Sequence, residues 1–290
     1  MLIGYLRGKL SYRVKYALKR YRRKLFNVVA QSGSLDYSGM LDVLTDRLGI
    51  KTGDTLMVHS SFGSLNAEFT PAELIDLLIA LVGPEGNLLM PYYPQYNPEE
   101  MLEKKIVFSF NDMHSSMGVL TNVFAQRRDV VISPHPIKAV AVWGRDKEYL
   151  TQQHSASVTP FDKSSPYYKA SELGNAKAIG IGIERMTFFH ACEDLYLPGI
   201  IGSLYLEKPY VGVVKDRDNR YFCVKTFVHD PDVMRKRETP CNFIKRTGCP
   251  NYKFFKVNNA VFYSVDLKVV EEHLKQIFWG SPACNHGGGF

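Results

Sequence analysis

No apolar run in this 290-residue chain approaches the ~18 residues needed to cross a bilayer, so a transmembrane helix is not expected. Cysteine is sparse and odd in number: Cys192, Cys223, Cys241, Cys249 and Cys284 follow no disulfide or zinc spacing. The first residues lack the apolar core and small-residue cleavage site of a secretory signal, and reduced thiols in the cytosol are the expectation. Neither GxGxxG nor GxxxxGK[ST] occurs, which argues against a dinucleotide or P-loop site. HExxH and internal repeats are missing too.

Most of the chain also lacks excess charge. The net charge is +7, but nine Lys and Arg with no acid fall in residues 1–26, leaving 27 basic against 29 acidic residues elsewhere. A near-neutral body carries no broad nucleic-acid footprint. Within the basic segment Ile3, Leu6, Leu10, Val14, Ala17, Tyr21 and Leu25 recur every three or four residues, the stripe of an amphipathic helix placed over 1–33. Such a helix packs on the body or on a second copy as a homodimer, or rests on anionic lipid at the inner face of a membrane.

What is present reads as one domain over 34–280 with a disordered tail over 281–290. Ser38 is placed to cap a helix through Leu48, and a strand from Thr55 runs into His59-Ser60-Ser61-Phe62-Gly63-Ser64. Thr70 and Glu73 form a capping box with Pro71 at the first helical position, before Leu74, Leu77, Leu78 and Leu81. Asn87 to Met90 is the next strand, and strand–loop–helix–strand is the βαβ pattern of a parallel sheet, whose ligands gather at strand carboxyl ends. The HSSFGS loop lies at such an end; it offers backbone N–H groups to a phosphate or amide, or is an ordinary turn. Ser115 or Ser116 caps a helix with Val119, Leu120, Val123 and Phe124, and Ser133 to Pro136 is a stiff loop. Strands follow at Ala139–Trp143, Ala176–Ile183 and Val257–Tyr263, an antiparallel hairpin at Tyr210–Val214 and Tyr221–Val228, and a closing helix at Asp266–Phe278. The class is α/β, with a mixed, largely parallel central sheet flanked by helices and a hairpin region near 205–256.

The chemistry concentrates between His154 and Glu193. At i and i+3 on a helix, His190 and Glu193 project together. Three readings stay open: a carboxylate-supported imidazole base, a metal site using His-x-x-Glu and a distant histidine, and a Cys192 thiol nucleophile.

Six blocks then occur in one order. They are His59-Ser60-Ser61, the run from Val82 to Pro91, Ser116 to Thr121, Ser133-Pro134-His135-Pro136, His154 with Ser165-Pro166, and Thr187 to Glu193. In that order the chain from about 38 to 275 resembles the aminoglycoside 3-N-acetyltransferase family. The resemblance implies an acetyl-CoA-dependent α/β acetyltransferase, not GNAT and not a left-handed β-helix, with no metal. It implies His154 as base, Glu193 orienting it, and His190 lining the acceptor or thioester site. It further implies CoA contacts at His59, Ser60, Ser61, Phe62, Gly63, Ser64, Met117, Ser133 and His135, and acceptor contacts at Tyr92, Tyr93, Asp112 and Thr187. Pro160-Phe161-Asp162-Lys163 departs from the family's glycine before the Ser-Pro pair, and the chain diverges after Leu206.

Residues 205–256 are basic, which suits an anionic acceptor. With the N-terminal stripe, this points to acetylation of a nucleotide-linked amino sugar in surface polysaccharide assembly. Aminoglycoside acetylation is the alternative, and a membrane-associated scaffold without activity is the non-enzymatic one.

Overall fold

The computed structural model describes residues 33–280; the expected helix over 1–33, apart from Gly33, and the tail over 281–290 lie outside the described residues. The chain divides into units 1–34 and 35–290, and the sheets belong to the second.

Helix α1 (Tyr37–Asp42) continues as a π-helical turn (Val43–Arg47). Its N-cap is Asp36, whose carboxylate accepts the Gly39 N–H at 2.8 Å, so the expected cap Ser38 lies inside the helix. Strand β1 (Thr55–Ser60) leads through a 3-10 turn (Phe62–Ser64) to α2 (Pro71–Val82) and β2 (Asn87–Pro91). The capping box is made: Thr70 Oγ1 accepts the Glu73 N–H at 3.2 Å while the Glu73 carboxylate accepts the Thr70 N–H at 2.6 Å. Such a cap contributes ~1 kcal/mol, whereas each buried Leu or Ile contributes ~1.5–3. The cap therefore sets where α2 begins, and Leu74, Ile75, Leu77, Leu78 and Val82 set what it packs against.

The stretch after Pro94, irregular by sequence, holds α3 (Pro98–Glu103), capped by Asn97, and β3 (Phe108–Ser109). Helix α4 (Val119–Ala125) starts after Gly118 at φ 103°, without a serine cap. Ser115 instead accepts the Tyr93 and Met117 N–H groups, each at 3.1 Å. Then come β4 (Val131–Ile132), β5 (Val140–Gly144), α5 (Lys147–Thr151), α6 (Pro166–Ser171), β6 (Ala176–Ile181) and α7 (Phe188–Tyr196). The hairpin β7 (Tyr210–Lys215) and β8 (Tyr221–Thr226) precedes α8 (Pro231–Lys236) and α9 (Pro240–Arg246). Where one strand was expected over 257–263, β9 (Lys253–Val257) and β10 (Ala260–Asp266) fold back on each other, with Asn258 at φ 52° in the turn. Asparagine tolerates that left-handed backbone, which is why the apolar run breaks there. Helix α10 (Leu267–Gly280) closes the described chain.

The seven-stranded sheet has the order β4-β5-β2-β1-β6-β10-β9. Its centre, β2-β1-β6, is parallel, and antiparallel pairs extend it on both sides. The hairpin β7-β8 and β3 make a second sheet. Both faces of the central strands are covered, so alternate residues enter two cores. Leu56 and Val58 of β1 pack with the side of α2 and α4, while Met57 packs with the side of α7 and α10. Among the described residues no helix is long and apolar enough to cross a membrane.

Candidate active site

Strands β1 and β6 run parallel as neighbours, and the turns leaving their carboxyl ends meet. Gly182 makes this approach possible. It sits at φ 72°, and a Cβ there would come within 2.7 Å of the Ser61 carbonyl oxygen. The 182–187 turn then delivers Thr187, the N-cap of α7, to His59 at the end of β1. The Thr187 N–H donates to His59 Nε2 at 3.3 Å, and the Thr187 hydroxyl meets the same atom at 2.7 Å. Nε2 is thus an acceptor and Nδ1 carries the hydrogen, without a partner among the described residues. Burial, then the Arg185 charge and the neighbouring His190 ring, push His59 down to about 3, so it stays neutral. His59 is a strut between strand and helix. Around it, Ser61 Oγ lies 2.8 Å from Ser64 Oγ, and Gly63 and Ser64 are exposed.

One turn into α7, His190 Nδ1 lies 2.7 Å from Glu193 Oε2. Glu193 is fully buried, and its other oxygen accepts from Arg237, which follows α8. Burial alone would raise the carboxyl, but the bonds from His190 and Arg237 outweigh it and hold Glu193 below the usual carboxylate range. With Nδ1 donating to Glu193, the lone pair of His190 is on Nε2, which has no partner among the described residues.

The expected pairing of His154 with Glu193 is not made. His154 is fully buried, with Ser133 Oγ 2.8 Å from Nδ1 and the Pro160 carbonyl oxygen 3.1 Å from Nε2. A carbonyl only accepts, so Nε2 carries the hydrogen and Nδ1 accepts from Ser133, whose oxygen accepts the Val140 N–H at 2.8 Å. Both nitrogens are thereby spent on a relay tying β5 to the 154–160 loop. Burial, partly offset by the Pro160 bond, pushes His154 down to about 3. A ring so enclosed, with both nitrogens bonded to the protein, has no free atom to take a proton from an acceptor.

Ser133 and His135, expected at the cofactor, are also fully buried. His135 Nδ1 accepts the Ile137 and Lys138 N–H groups at 3.3 and 3.1 Å, and its ring lies tilted with its centroid 4.6 Å from that of His154. Buried Cys192 is pushed well above the ordinary thiol range, by burial first and then by nearby acids, so the thiol-nucleophile reading loses its premise.

A cavity of about 240 Å³ opens beside His190, lined also by Glu99, Ile137, Lys138, His229 and Met234. Of the side chains anticipated from the sequence, only His190 lines it. Tyr92 instead donates to the Met113 carbonyl at 2.8 Å, exposed Asp112 accepts from Ser109 at 2.5 Å, and Tyr93 OH lies 2.7 Å from Tyr167 OH. Met117 is absent from the cavity wall. The frame of the cavity is aromatic. His229 stacks 4.2 Å from Tyr205 and lies 5.0 Å from His190, while Phe161 lies 5.4 Å from His190. Half-buried Asp194 fixes this frame by accepting from the Phe161 N–H at 3.2 Å and the Tyr205 hydroxyl at 2.8 Å, and desolvation raises it to about 7. Lys138, His229 and Arg237 were invisible as site residues, because Lys138 and His229 reach the cavity wall, and Arg237 reaches Glu193, through tertiary packing, and none shares a local motif with His190.

Comparison with known proteins adds an independent line. The family model described as aminoglycoside 3-N-acetyltransferase matches residues 57–269. Aminoglycoside N(3)-acetyltransferase IV of Salmonella sp is 28% identical over 148 residues, covering 50% of this chain and 54% of that protein. The chain spans about half the length of the curated relatives it matches. Among solved structures, sisomicin-bound AAC-VIa superposes with a TM-score of 0.67 at 17% identity, over 86% of this chain and 99% of that one. AAC-IIIb in a binary complex with CoASH gives 0.66 at 19%, over 84% and 96%. At such identities the neighbours establish the fold, which is neither GNAT nor a β-helix. The expectation of a nucleotide-linked amino sugar and polysaccharide assembly is overturned here: the matching family and relatives are named for aminoglycosides. The basic charge of 205–256 misled because part of it is consumed internally, Arg237 by Glu193, Arg220 by Asp216 and Lys245 by Glu184.

Proposed function

The chain belongs to the aminoglycoside 3-N-acetyltransferase family, and from that premise we propose that it moves the acetyl group of acetyl-CoA to an amine of an aminoglycoside, with His190 as general base. The observation that carries this is the His190–Glu193 bond, which engages Nδ1 and leaves Nε2 as the basic atom of a ring that lines the cavity. The acceptor nitrogen attacks the thioester carbonyl carbon while Nε2 takes its proton. The C–S bond then breaks, and the imidazolium returns the proton to the departing thiolate. Glu193, itself held by Arg237, steadies the imidazolium without accepting its proton. Acetyl-CoA would lie along the 59–64 turn, where the exposed Gly63 and Ser64 follow β1; that the AAC-IIIb neighbour binds CoASH supports the use of CoA. Glu99 on the cavity wall offers a carboxylate to a second ammonium of the acceptor.

His190→Ala and Glu193→Gln are each expected to lower kcat/KM by roughly 10²–10⁴ with the circular dichroism spectrum intact. The readouts are thiol release and mass of the acetylated aminoglycoside. Turnover within a few-fold of the unmodified protein in both variants would overturn the assignment.

A further inference from the structure

Lys138 is a cation on the cavity wall that the His190–Glu193 pair does not explain. It lies largely buried on the same wall as His190 and His229. Among the described residues no carboxylate comes within ion-pair distance of it, whereas Arg237, the other cation beside the dyad, is paired to Glu193. Its ammonium rests 4.3 Å from the centroid of the Tyr93 ring and 5.9 Å from that of Phe161. Tyr93 is pushed up to about 12, chiefly by burial, so it stays a neutral phenol and supplies a ring face rather than a counter-charge. Burial also lowers Lys138 to about 8, which leaves it mostly charged at neutral pH. A desolvated cation without a partner is costly, and two aromatic faces offset only part of that cost. An anion that arises in the cavity during turnover would complete it.

We propose that Lys138 is a catalytic residue whose ammonium stabilises the oxyanion formed when the acceptor nitrogen adds to the thioester carbonyl. This rests on the acetyl-transfer reading above and adds the electrophilic partner to its base. The nitrogen–carbon bond forms as the carbonyl π pair moves onto oxygen, where the Lys138 charge meets it. When that pair returns, the carbon–sulfur bond breaks and Lys138 is left unpaired again. A permanent ion pair to a wall carboxylate would remove this differential, since only interactions stronger in the transition state than in the ground state accelerate the step. Glu99, the acid on the same wall, makes no ion pair with it.

The test compares Lys138→Met, which keeps the length and removes the charge, with Lys138→Arg, which keeps the charge. Lys138→Met is expected to lower kcat roughly 10²–10³-fold with KM for acetyl-CoA and acceptor within a few-fold, and Lys138→Arg to recover much of the loss. Binding gives a second readout. By calorimetry, the unmodified protein should prefer S-carboxymethyl-CoA, whose carboxylate sets a fixed negative charge near the carbonyl position, over neutral S-acetonyl-CoA by about tenfold, and Lys138→Met should lose that preference. An unchanged kcat with an unchanged preference, or a defect confined to the acceptor KM, would overturn the proposal. Slow hydrolysis of acetyl-CoA separates it from the acceptor reading, because water attack forms the same oxyanion. Thiol release that depends on Lys138 without acetylation of any aminoglycoside would sink the acceptor and keep the lysine. Thiol release and analogue binding both indifferent to the lysine would sink the lysine alone.

Discussion

His154 and His190 carry the same ring, and hydrogen-bond bookkeeping separates them. His154 spends both nitrogens on the protein, whereas His190 spends one and keeps Nε2. His154→Ala should therefore cost stability rather than chemistry. It strands Ser133 Oγ and the Pro160 carbonyl at ~1–3 kcal/mol each, so a urea midpoint shift worth about 3 kcal/mol is expected, with kcat per folded molecule within a few-fold. A loss of a hundredfold or more in kcat at unchanged stability would restore His154 as the base. Asp194 supplies a pH signature. Raised to about 7, it keeps its proton in the fold at pH values where the unfolded carboxyl, near 3.9, has released it. The stability this gives is complete below the unfolded value and is lost as pH rises toward 7. Asp194→Asn should lack that slope, and its denaturation free energy relative to the native sequence should improve by a few kcal/mol between pH 4 and pH 7, measured by urea titration at each pH. Parallel profiles would refute the assignment.

Helix α7 works because of what precedes it. Its N-cap is bound to β1 through His59, and the turn delivering it passes close to Ser61 at Gly182. Gly182→Ala combines a left-handed backbone costing ~1–2 kcal/mol with a Cβ pressed against a carbonyl oxygen. A destabilisation above about 2 kcal/mol is expected, together with weaker CoA binding by calorimetry, since helix and 59–64 turn must separate. Stability lost with CoA affinity unchanged would uncouple that turn from the cofactor.

Across the molecule, the proposed base is assembled from distant pieces. Glu193 stands on α7, and Arg237, 44 residues later, comes from the segment beyond the hairpin. The charge beside His190 is thus completed from a segment distant in sequence. Arg237→Ala leaves a buried carboxylate with His190 as its remaining partner, and a loss of about 3 kcal/mol is expected, the lower end for a broken buried pair. kcat should fall as Glu193 turns toward solvent, and Arg237→Lys should recover stability better than rate, because a point charge lacks the planar fork. A silent Arg237→Ala would show that the segment merely covers the site.

Local order was legible wherever it depends on neighbours in the chain. The Thr70–Glu73 box, the leucines of α2, and the i, i+3 spacing that brings His190 to Glu193 are local geometry, and the residues alone specify them. Which histidine faces a cavity is a different kind of fact. It depends on whether Ser133 and Pro160, or open space, meet the ring, and on where Arg237 and Lys138 arrive from elsewhere in the chain. Burial and long-range pairing turn identical side chains into a strut, a relay and the proposed base, and those are properties of the packed molecule.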